Sequence, residues 1–143
     1  RRPQRSTLFP YTTLFRSKEI GVTCFVLGAL TSDRKLDQKV MQLLLAACGE
    51  SEVVFHMAFD ELAHTDQLEA IEWLSDQGVA RILTRAGSPG DPLEQRFAHY
   101  HRLLDAAKGK IQILPGGGVT LDNRQLFLEQ LGVCQLHGTR IVF

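Results

Sequence analysis

Three stretches of this sequence carry side chains or backbone that can do chemistry: Phe55-His56-Met57-Ala58-Phe59-Asp60, the run Gly116-Gly117-Gly118, and His137-Gly138-Thr139. His56, Asp60 and His137 are the candidates for catalysis, because imidazole titrates near neutrality and a carboxylate can accept or return a proton. For His56 three uses stay open: acid/base, ligand, or interior histidine hydrogen-bonded to a neighbour. Asp60 is either functional or a loop cap. Gly116, Gly117 and Gly118 precede a helical pattern, so their backbone N–H groups can hold a phosphate-like anion. A tight turn needing positive φ would ask for the same residues. Gly138 and Thr139, after the next strand-like run, can complete that anion site with an amide and a hydroxyl.

Metal binding has donors of suitable softness in Cys24, His56, Met57 and His137, since thiolates and thioethers suit Cu(I). No close-spaced cysteine or histidine motif gathers them, so the metal ligands stay unassigned. His99 and His101 lie two apart in a helical pattern, roughly 200° around it, and read as surface residues.

These groups need elements to position them. Val53 to Asp60 alternates as a strand would, with Phe55, Met57 and Phe59 on one face and His56, Ala58 and Asp60 on the other. That reading puts about 13 Å between His56 and Asp60 and turns Met57 away from His56. Four further strands are expected at Gly21 to Leu30, Ala80 to Thr84, Ile111 to Leu114 and Val133 to His137. Helical patterns separate them. Leu36 to Cys48 carries Leu36, Val40, Leu43, Leu44 and Ala47 as an apolar stripe, stopped by Gly49. Thr65 or Asp66 can cap a helix holding Leu68, Ile71, Trp73 and Leu74, with Trp73 a core anchor. Pro92 opens a helix running to about Ala107, and a last one spans about Leu121 to Leu131 before Gly132.

Strands alternating with helices indicate an α/β fold with a parallel sheet, and the regular repeat favours a partial TIM (β/α)8 barrel of about five C-terminal βα units. Reactive groups of such barrels gather at the C-terminal ends of the strands. Asp60, Arg85, Gly116 to Gly118 and His137 to Thr139 all fall there. A barrel of this type has eight strands, so three βα units are expected to be missing on the N-terminal side. The open sheet edges would then favour self-association.

Composition excludes some partners. Lys plus Arg equals Asp plus Glu at 16 each, so no global field draws the chain to nucleic acid or an anionic membrane. No run reaches the ~20 apolar residues of a membrane-spanning helix. The three cysteines are scattered and odd in number, which suits reduced thiols in the cytoplasm. Residues 1–17 hold four arginines and no acid, and Thr7 to Ser17 resembles a translated sequencing adapter. They read as a non-native segment preceding the domain at 18–143; an organellar transit peptide is the rival reading.

Phe55 to Asp60, Arg81-Ile82-Leu83-Thr84, Gly116 to Val119 with Asn123, and Leu136 to Thr139 occur in an order and spacing that resemble the copper homeostasis protein CutC family. Gly28-Ala29-Leu30-Thr31 with Asp37 resembles the family's preceding strand and helix start. Met57 departs, standing where many members have Arg. The resemblance implies a TIM barrel, a cytoplasmic setting, and a role in copper homeostasis or copper ion binding. It equally implies a barrel mouth like an enzyme's, so a lyase, isomerase or hydrolase acting on a small metabolite, with or without a phosphate group, is the alternative.

Overall fold

Four apolar tetrapeptides pair in chain order to make the sheet. In the computed structural model, which describes residues 13–141, these are β1 (Cys24–Leu27), β2 (Glu52–Phe55), β3 (Arg81–Thr84) and β4 (Gln112–Pro115), all parallel, in the order β1-β2-β3-β4. The register aligns Leu27, Phe55, Ile82 and Ile113 in one row across the sheet. Three of these, Phe55, Ile82 and Ile113, are buried, as expected for parallel strands covered by crossover helices.

Those helices are α2 (Gln38–Cys48), α3 (His64–Asp76), α4 (Leu93–Ala107) and α5 (Arg124–Leu131), after a first helix, α1, over residues 13–19. The α/β alternation predicted from the sequence is the observed architecture, an open part of a barrel wall. Of the segment 1–17, residues 1–12 lie outside the described residues, while 13–17 belong to α1. Leu14 is buried in the core, and Lys18 Nζ donates to the Ala47 carbonyl at 3.0 Å. The core runs between sheet and helices through Met41, Phe55, Phe59, Ile71, Tyr100 and Phe127.

Several expectations need correction. The stretch after Phe55 is not strand: Met57–Glu61 forms a 3-10 turn with His56 as its N-cap. His56 Nδ1 accepts the Ala58 N–H at 3.2 Å, a local side-chain bond that competes with the ladder and ends the strand. The alternation of apolar residues thus came from a turn burying Phe59. The fifth strand, Val133 to His137, does not join the sheet. The His137 N–H donates to the Pro115 carbonyl at 2.9 Å and Gln135 Oε1 accepts from Arg81 Nε at 3.0 Å, but Pro115 has no N–H to give in return.

Helix details shift too. In α2 the buried residues are Met41, Leu44 and Cys48; of the expected stripe Leu44 is buried and Leu36 and Ala47 pack against the core, while Val40 and Leu43 are exposed. Asp37 caps it, its Oδ1 accepting the Val40 N–H at 3.1 Å. In α3 the cap position falls on Ala63, so neither Thr65 nor Asp66 caps it; Asp66 instead pairs with Lys35. Trp73 is half-buried at the rim of the core. His99 is buried at 8% exposure, contrary to its surface reading. Its Nε2 meets Gln67 Oε1 at 2.7 Å, and its ring stacks on His64 at 4.1 Å between centroids.

Candidate functional site

The C-terminal ends of β3 and β4 and the turn after β2 meet in one polar network. Asp60 is its hub. Its Oδ1 accepts the Thr84 hydroxyl, and its Oδ2 accepts the Arg85 N–H at 2.9 Å. Thr84 is fully buried, and its Oγ1 also accepts the Ala86 N–H at 3.0 Å. Burial pushes the Asp60 carboxyl up, against these hydrogen bonds and the Arg85 charge, which pull it down. The strand spacing expected between His56 and Asp60 does not apply, because both lie in or beside the same 3-10 turn.

His56 is half-buried, and burial lowers its pKa, so the neutral ring is favoured. With Nδ1 accepting from Ala58, the neutral ring carries its proton on Nε2. Gly28 must be glycine here: a Cβ there would come within 2.8 Å of the His56 Cε1.

The glycine run turns at the end of β4, with φ +77 at Gly117 and +74 at Gly118. Arg96, reaching from the first turn of α4, is 5% exposed and grips this turn from behind. Its Nη2 donates to the carbonyls of Gly116 at 3.1 Å and Gly117 at 2.9 Å, and its Nε to the Arg85 carbonyl at 2.9 Å. The guanidinium lies 5.5 Å from the Phe127 ring centroid and 5.9 Å from that of Tyr100, a cation–π contact with each of two edge-to-face rings. The Tyr100 hydroxyl donates to the Thr84 carbonyl at 2.8 Å, and burial pushes its pKa up to about 12. Asn123 Nδ2 donates to the Gly118 carbonyl at 2.9 Å.

His137 is exposed, and its backbone passes the same turn: a Cβ on Gly116 would meet Met57 Cε at 2.9 Å and the His137 carbonyl at 3.5 Å. Gly138 packs its backbone on Val119, whose carbonyl would lie 2.5 Å from an added Cβ; Thr139 is exposed. Met57, expected to face away, therefore stands at this end of the sheet. It lines a cavity of about 210 Å³ with Asp60, Glu61, Arg85, Gly87, Ser88 and Pro89.

Among these residues Arg96 and Ser88 were not singled out by the sequence, and Arg85 was placed at the mouth without a role. Arg85 had a signal, since it directly follows a strand end. Arg96 had none, because a charged residue early in a helix usually faces water. Among the described residues no group of three or more His, Cys, Asp or Glu side chains can enclose a metal ion.

A parallel sheet with crossover helices and its polar residues gathered at the strands' C-terminal ends defines a TIM-barrel type of protein. The model of the CutC family matches residues 12–142, and the chain belongs to that family. A family protein CutC from Enterococcus faecalis is 41% identical over 132 residues, covering 92% of this chain and 63% of that protein. The human copper homeostasis protein cutC homolog is 39% identical over 121 residues, 85% of this chain and 43% of that one. The crystal structure of CutC from Streptococcus agalactiae superposes with a TM-score of 0.91 at 36% identity, covering 97% of this chain and 66% of that chain. The chain thus spans less than two thirds of the length of these relatives.

Proposed function

We propose that this chain serves copper homeostasis, the role carried in the names of its human and mouse relatives, and that it handles Cu(I) as cargo at the mouth formed by Met57, Gly116 and His137. The placement of Met57 carries this reading: a thioether suits Cu(I), and its methyl group is brought against Gly116 beside the His137 backbone. The role is one for the whole barrel, to which this chain contributes its mouth.

The proposed setting is the cytoplasm, with Cys24, Cys48 and Cys134 kept as the free thiols seen here. No helix among the described residues is long and apolar enough to cross a membrane. Titration of Cu(I) against a chromogenic chelator under reducing conditions tests the reading. Saturable uptake that weakens in Met57→Leu and in His137→Ala is expected; absence of saturable uptake by the chain would remove it.

The cavity beside Asp60 favours a second reading, a lyase, isomerase or hydrolase for a small metabolite. A neutral His56 and a carboxyl at Asp60 with raised pKa are the acid/base pair this would use.

A further inference from the structure

The Arg85 backbone is held on both sides at this end of the sheet. Its N–H is taken by Asp60 Oδ2 and its carbonyl by Arg96 Nε, each at 2.9 Å. The next residue, Ala86, is buried in the left-handed region at φ 56, a conformation that costs a residue with a Cβ about 1–2 kcal/mol. A strained residue beside a doubly pinned one sets the direction in which the Arg85 side chain leaves the loop. It leaves over the glycine turn: a Cβ on Gly117 would lie 2.8 Å from the Arg85 Cζ.

The turn presents donors of its own. The Gly116 and Gly117 carbonyls point to Arg96 and that of Gly118 to Asn123. No peptide bond among the described residues is cis, and in a trans peptide the N–H points opposite to the carbonyl. The amides of Gly117, Gly118 and Val119 are therefore aimed away from Arg96 and Asn123.

Charge completes the picture. Among the described residues none of the ion pairs involves Arg85 or Arg96. Of the two carboxylates that line the cavity, Asp60 already accepts from Thr84 and from the Arg85 backbone, and Glu61 lies 3.9 Å from the Arg34 guanidinium. Two guanidinium groups thus flank one glycine turn, one behind it and one over it, beside a cavity of about 210 Å³. At roughly 30 Å³ per water that is space for about seven waters, the scale of a three- or four-carbon skeleton.

We propose that Arg85 anchors the anionic group, phosphate or carboxylate, of a small metabolite, with the amides of Gly117 and Gly118 as further donors and the rest of the ligand in the cavity beside Met57 and Ser88. The planar fork of the guanidinium suits either anion. This site does not depend on copper, and its failure would leave the Cu(I) titration untouched.

Calorimetric titration of the full chain at low ionic strength, with inorganic phosphate and separately with malonate, tests it. Saturable binding of at least one anion is expected, weakened at least tenfold in Arg85→Gln and unchanged in Lys39→Gln on α2. Tighter phosphate binding assigns a phosphate ester, and tighter malonate binding a carboxylate. Gly117→Ala, which keeps the charge but pushes the guanidinium off the turn, is expected to weaken binding similarly. No saturable binding of either anion, or wild-type affinity in a folded Arg85→Gln, overturns the proposal. If Arg85→Gln does not fold, wild-type affinity in Gly117→Ala overturns it.

Discussion

The mouth end of β3 and β4 and the outer edge at β1 are built on opposite principles. At the mouth, Thr84, Arg85, Gly116 and Gly117 have their backbone groups bound by Asp60, Arg96 and Tyr100. At the edge, β1 pairs among the described residues with β2 on one side only, and Val26 is 60% exposed. The α2 residue Leu43, which follows β1 in the chain, is 59% exposed. One region fixes geometry with polar bonds in a dry setting, where each bond lost is expensive. The other leaves apolar surface and an unsatisfied strand edge, which costs little internally but invites pairing. The proposed ligand site and the proposed surface for association therefore lie in different parts of one sheet.

The largest expected break in that contrast is Arg96→Met. It leaves the carbonyls of Arg85 and Gly117 without a donor and that of Gly116 with the Tyr100 hydroxyl alone, at a cost of about 3 kcal/mol or more, read from the shift in denaturant midpoint. Val26→Thr at the edge should change it by no more than about 0.5 kcal/mol. Equal effects would erase the distinction.

Gly117→Ala and Gly132→Ala sharpen it, because both glycines are left-handed, at φ +77 and +64, but nothing lies within 4 Å of a Cβ at Gly132. Gly132→Ala should cost about 1 kcal/mol from backbone strain alone. Gly117→Ala should cost roughly twice that, the difference reporting the Arg85 packing.

Acid should loosen the helical layer next to the mouth. Burial, reinforced by the charges of His64 and Arg102, lowers the His99 pKa from 6.5 to about 4. The unfolded chain then takes up this proton first, so the stability contributed is complete above about pH 6.5 and is lost as the pH falls towards 4. Denaturation between pH 7.5 and 5 should show this slope, and His99→Gln should flatten it. The smallest effect on stability is expected from Val26→Lys, within about 0.5 kcal/mol, yet sedimentation should show less concentration-dependent self-association of the chain. We propose that association runs through the β1 edge; an unchanged profile would argue against it.

Much of the fold was legible because periodicity and glycine stops are local signals. Gly49 at φ 62 and Gly132 at φ 64 end α2 and α5 where the sequence has them end. What was not legible depended on partners distant in the chain. Phe55 to Asp60 alternates like a strand, and only the His56 cap reveals the turn. Val133 to His137 has strand composition but meets a proline that cannot reciprocate. Asp60 stood out by type, yet its partners Thr84 and Arg85 lie 24 and 25 residues away. His99 looked solvated and Arg96 drew no reading, because burial of a polar side chain becomes visible only once Gly116, Gly117 and Gln67 are placed beside them.

The central claim is that the ligand end of this sheet is the Arg85 and glycine-turn end. Its most direct test is to follow the backbone amide resonances of the chain during titration with inorganic phosphate and with malonate. The account predicts, for at least one of them, saturable shifts concentrated at Arg85 to Ser88 and Gly116 to Val119, with Cys24–Leu27 unmoved. Shifts spread along β1, or none that saturate at the glycine turn with either anion, would contradict it.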